Sequence, residues 1–223
     1  MDNAFIADRL LNLIVLVLSL TVHEYFHAWT AWRLGDDTAA RMGRLTLNPI
    51  PHIDLIGTIL LPLLGQPIGW AKPVPVQPSR FRQGIRMSTG DILVSVAGPL
   101  SNLALATISA VVLGLLLHFA PGFVGRGDPA RAFLGLLVLV NCSLAVFNIL
   151  PVPPLDGSHV AGHFVPYRWR SGWDRFSRVA PLLLLVLLYA ENWTRTPLLS
   201  RVLNPPIDLL VGALDQVIST LAA

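Results

Sequence analysis

Apolar residues along this chain fall in long blocks, and block length decides its class. The blocks lie at about Ala4–Leu34, Ile53–Leu64, Ile92–Phe119, Phe133–Leu150, Val179–Ala190 and Val202–Leu221. A helix needs about 20 apolar residues to cross a bilayer, so the first, third and fourth qualify. Val179–Ala190 crosses only if Arg175 and Trp193 mark its ends, and Asp208 and Asp215 interrupt the last block. Ile53–Leu64 is short and holds Gly57 and Pro62, with Arg33, Arg41 and Arg44 before it and Lys72, Arg80, Arg82 and Arg86 after it. A crossing there would separate two basic clusters that both belong on the cytoplasmic side. The segment about 45–80 is therefore expected to be re-entrant or extended, which a membrane tolerates where backbone lines a polar cavity.

The pattern predicts an all-α polytopic membrane protein. Residues 1–165 form its core, with helices at about 4–34, 92–119 and 133–150, and residues 166–223 supply about two further membrane helices. Gly69-Trp70-Ala71-Lys72-Pro73-Val74-Pro75-Val76 alternates prolines with branched residues, which suits an edge strand or an extended ribbon. Charge bias puts the N-terminus outside, residues 33–86 inside, the loop around Gly122–Arg131 outside, and Arg168, Arg170, Arg175 and Arg178 inside. Asp2, Asp8 and Arg9 stand where a signal peptide has a basic region, so the first block is expected to be a retained helix.

Composition sharpens the membrane reading. The chain is 53% hydrophobic and 13% charged, with mean hydropathy +0.62, against roughly a quarter charged in soluble domains. Lys72 is the only lysine among sixteen basic residues in a chain of net charge +3. These residues sit beside apolar blocks with no aromatic-interleaved basic face, which argues for topology and against nucleic-acid binding. The Arg, Ala, Leu and Gly bias suits a bacterial source and an inner-membrane location. One cysteine, Cys142, excludes a disulfide framework and a cysteine zinc site.

The chemistry lies in His23-Glu24-Tyr25-Phe26-His27, an HExxH pattern inside the first block. Histidines at i and i+4 share a helix face and can hold one zinc, which leaves the glutamate to accept a proton from water. Such groups are costly in a bilayer unless paired or bound to metal. Catalytic zinc takes three protein ligands, and the candidate third is Asp156, where Pro151, Pro153 and Pro154 break the fourth block. Asp156 reads equally as an N-cap for the stretch beginning Gly157-Ser158-His159. His159 and His163 form a second i, i+4 pair that either adds a metal contact or a gate or lies at the interface. His52, beside Asp54, is expected at the cytoplasmic interface, and Gly98-Pro99-Leu100-Ser101-Asn102 is expected to serve close helix packing.

HEYFH, Asn148–Gly157 and Gly98–Asn102 together resemble the site-2 protease family of intramembrane zinc metalloproteases. So do Leu47-Asn48-Pro49 with Asp54 and Gly57-Thr58, and Gly69–Pro75. The likeness covers roughly residues 15–160. It implies a three-helix catalytic core, one zinc on His23, His27 and Asp156, and Glu24 as general base. It also implies that Asn148 holds the substrate or its developing oxyanion. The expected partners are a transmembrane protein substrate and the lipid bilayer, with the active site toward the cytoplasm. A zinc-binding membrane transporter or non-catalytic scaffold stands as the alternative.

Overall fold

The computed structural model describes residues 3–63, 69–194 and 196–223. Its α-helices are α1 (Asn3–Leu34), α2 (Thr38–Arg41), α3 (Leu61–Leu63), α4 (Met87–Phe119), α5 (Pro129–Ile149), α6 (Asp156–Phe164), α7 (Arg170–Thr194) and α8 (Ser200–Ala222). The protein is an all-α polytopic membrane protein, and among the described residues three helices are long and apolar enough to span: Phe5–Leu34 within α1, α4 and α5. The more polar α7 and α8 fall outside that set.

α4 is the hub, packed on α1, α5, α6 and α8. Small residues let the helices close up: Ala106 and Ala110 of α4 meet Val138 and Cys142 of α5. Leu210, Val211, Leu214 and Ile218 of α8 close over that seam. Cys142 is a free, fully buried thiol within it.

Two helices begin earlier than their apolar blocks. α4 starts at Met87 rather than Ile92, its polar first turn held by tertiary contacts at its end: the buried Gly90 faces the Phe81 ring and Asp91 pairs with His159 and His163. α5 starts at Pro129 rather than Phe133, with proline at the first helical position where its missing N–H costs nothing.

The segment between α2 and α4 folds back on itself. Asp54 accepts from Ile56 N–H and Gly57 N–H at 3.0 and 2.8 Å and so starts a wide helical turn over Leu55–Leu60. Residues 69–77 then run extended against that turn. Trp70 N–H donates to Gly57 O (3.3 Å), Lys72 N–H to His52 O (2.9 Å), and Thr58 Oγ1 to Trp70 O (2.7 Å). Among the described residues there is no strand. The ribbon's partners are helical turns and side chains, and Pro73 and Pro75 bring no N–H.

Candidate metal centre

His23, Glu24 and His27 lie in the C-terminal half of α1, the two histidines one turn of helix apart, and all three are buried. Asp156 is the first residue of α6; the cap position is Leu155, and no side chain caps this helix. Asp156 turns instead toward α1, with Oδ2 at 3.2 Å from His23 Nε2 and Oδ1 at 3.3 Å from His27 Nε2. Asp156 therefore does not act as the cap, and it lies with His23 and His27 in a group that could hold a metal ion.

Two glycines make this approach physically available. A Cβ on Gly98 would collide with His27 Nε2 and His23 Cε1, so α4 can lie against the pair only without a side chain there. A Cβ on Gly157 would strike the Ile149 and Leu150 carbonyls, so the chain leaving α5 can turn into α6 only at glycine. The prolines between them stop α5, and the turn delivers Asp156 to the face of the two histidines.

Hydrogen bonds fix which ring nitrogens face the centre. His27 Nδ1 lies 2.7 Å from Val94 O, a carbonyl that can only accept, so Nδ1 carries the proton and Nε2 is a bare lone pair. His23 Nδ1 lies 2.7 Å from Asn102 Oδ1, with the same consequence. The two Nε2 atoms stand 2.9 Å apart beside Asp156. Asp156 Oδ2 is buried without a hydrogen-bond donor. Three potential ligand atoms therefore converge, and a single cation could satisfy all of them together. The three ligand atoms lie within 4.8 Å of one another, a spacing that fits one metal ion.

The centre opens into a cavity of about 850 Å³ lined by α1, the ribbon, α4, α5, α6 and α7. Glu24 is tied across it: Oε2 accepts from Val74 N–H at 2.9 Å, the one N–H that Pro73-Val74-Pro75 possesses. Asn148 lines the same cavity and donates one amide hydrogen to Leu144 O (3.0 Å), leaving Oδ1 and the second N–H without a protein partner among the described residues. A second cavity of about 1050 Å³ adjoins it, sharing Gly69, Leu144, Phe147 and Leu188, between α1, α5 and the C-terminal helices.

The other histidines separate from the centre. His52 is buried under the ribbon with Nε2 at 2.9 Å from Thr46 O. His159 and His163 both face Asp91 Oδ2, at 3.6 and 2.9 Å, and so tie α6 to α4 beside the cavity. Asn102 was legible only as packing, and Asn141 carries no motif at all. Both are fully buried and joined to His23. An amide inside a membrane-length apolar helix is itself the signal that finds them.

The model of peptidase family M50 matches residues 124–189, which include Asp156 and Asn148. A Bacillus subtilis protein named "Putative zinc metalloprotease YwhC" is 39% identical over 196 residues, covering 87% of this chain and 84% of its own. The chain belongs to peptidase family M50, the site-2 protease family. A Mycobacterium tuberculosis protein named "Putative zinc metalloprotease Rip2" is 36% identical over 180 residues, covering 79% of this chain and 67% of its own. "Putative zinc metalloprotease MJ0611" of Methanocaldococcus jannaschii is 36% identical over 77 residues, 34% of this chain and 35% of that one. No solved structure matches the chain. Family and relatives support a zinc metalloprotease and point to zinc as the ion for the His23, His27 and Asp156 group.

Proposed function

We propose that this protein is an intramembrane zinc endopeptidase that hydrolyses peptide bonds within or near transmembrane segments of other membrane proteins. The observation that carries the reading is the convergence of Asp156 of α6 with His23 Nε2 and His27 Nε2 of the membrane-length α1. His23, His27 and Asp156 hold the zinc. The ion supplies Lewis acidity to a water and to a peptide carbonyl.

Glu24 takes the proton from the attacking water and returns it to the leaving amine nitrogen. Its carboxylate is already aimed by Val74 N–H. The free amide hydrogen of Asn148 is available to a substrate carbonyl or to the charge that develops on it. A helical peptide bond is internally hydrogen-bonded, so the substrate unwinds, and the ribbon Trp70–Val76 offers an edge on which an extended peptide lies. The adjoining cavity between α1, α5 and the C-terminal helices gives a transmembrane substrate a lateral route to that edge.

Positive charge on residues 33–86 supports a cytoplasm-facing site in a bacterial inner membrane. The chemistry is tested with Glu24→Gln in proteoliposomes holding a model transmembrane substrate. The variant keeps its zinc and loses cleavage; full activity would remove Glu24 from the mechanism.

A further inference from the structure

A buried polar chain runs from His23 through three helices. His23 Nδ1–H donates to Asn102 Oδ1 on α4 at 2.7 Å, and Asn102 Nδ2 donates to Asn141 Oδ1 on α5 at 2.7 Å. Asn141 Nδ2 donates to Ser19 Oγ on α1 at 2.9 Å and to Leu137 O at 2.8 Å, and Ser19 Oγ donates to Val15 O at 2.7 Å. Ser19, Asn102 and Asn141 have no solvent exposure.

The chain has one direction. Leu137 O and Val15 O can only accept, which turns the Asn141 amide so that its carbonyl faces Asn102. That in turn aims the Asn102 carbonyl at His23. The proton on His23 is thereby assigned to Nδ1, and the lone pair on Nε2 points at Asp156 and His27. Without this chain the two nitrogens of an imidazole compete for the proton, and part of the population presents an N–H to the metal.

We propose that Asn102, Asn141 and Ser19 are positioning residues that fix the tautomer and tilt of His23 in advance of metal binding. Asn141 acts through Asn102. α5 then sets both halves of the centre: Asn141 orients His23, and the turn after Ile149 delivers Asp156. The inference rests on His23 as a metal ligand.

The test is zinc affinity of the full-length protein in detergent, measured by competition with a chromophoric chelator. Partners of metal-bound histidine are typically worth about 10–100-fold in affinity, so Asn102→Ala loses roughly that much and Asn141→Ala about tenfold. The double variant binds no more weakly than Asn102→Ala alone, because the second loss travels through the first. A pure packing role predicts lower thermal stability with unchanged zinc affinity. Wild-type affinity in Asn141→Ala, or two losses that add in full, overturns the proposal. Asn141→Ser keeps a bond to Leu137 O while removing the fixed acceptor, and carries the same expectation should the alanine variant fail to fold. His23→Ala separates the two claims. If it retains zinc, the ligand assignment fails; if it loses zinc while Asn141→Ala does not, only the positioning claim fails.

Discussion

A methyl group added at position 98 is expected to cost this protein its metal ion. Gly98 lies against both imidazoles, and its Cβ would occupy the space of His27 Nε2 and His23 Cε1. α4 cannot retreat on its own, because the anchors of both rings, Val94 O and Asn102 Oδ1, belong to it. The zinc-free protein relieves the collision by swinging the rings away, so the energy is charged to metal binding. Two buried hydrogen bonds are worth about 1 kcal/mol each, and a methyl forced into packed space costs about 1–3 kcal/mol. The total of about 3–5 kcal/mol is roughly two to three orders of magnitude in affinity, at ~1.4 kcal/mol per factor of ten. Zinc competition on Gly98→Ala measures it. Gly135→Ala is the control, since a Cβ at Gly135 meets nothing within 4 Å and alanine gains up to about 1 kcal/mol in a helix. Gly98→Ala binding zinc within about threefold of wild type, a difference below ~1 kcal/mol, would refute the reasoning.

Other outcomes follow from the same geometry. Gly157→Ala drives a Cβ into the Ile149 carbonyl and displaces Asp156, so the variant should lose both zinc and proteolysis while α1 and α4 remain packed, as zinc content and far-UV circular dichroism will record. Asp54→Ala removes the acceptor of Ile56 N–H and Gly57 N–H, lowering stability by about 1 kcal/mol in thermal unfolding and raising KM more than it lowers kcat. The Asp91 carboxylate beside the His159 ring raises the pKa of His159 against the opposing effect of burial. A raised folded-state value gives stability that is complete below the unfolded value of about 6.5 and is lost as pH rises through the folded one. The Tm advantage of wild type over His159→Gln should therefore shrink with rising pH, and parallel curves would contradict it.

The sequence displayed the candidate ligands because their types and spacing are local. HEYFH needs only one turn of helix, and LDG needs only a glycine that permits the turn into α6. The orientation of those ligands was not legible. Asn102 lies 79 residues from His23, and Asn141 lies 122 residues from Ser19. No local pattern couples positions so far apart. The cost of an amide in an apolar helix marks Asn102 and Asn141 as polar exceptions, without saying what they meet. The ribbon was legible in its prolines, but its partners are a helical turn and the Glu24 carboxylate, so it forms no strand. Block lengths placed the spans of α4 and α5 and missed their first turns. Asp91 and Asp128 look like loop residues until His163 or Pro129 is taken with them.

The central claim is that hydrolysis takes place at membrane depth on this zinc centre. Reconstituting the purified protein with a transmembrane substrate in liposomes and mapping the products by mass spectrometry tests it most directly. The account predicts a cut within or near the transmembrane segment that disappears on chelation, returns with zinc and is absent in Glu24→Gln. Cleavage confined to water-exposed tails, or cleavage indifferent to zinc, would contradict it.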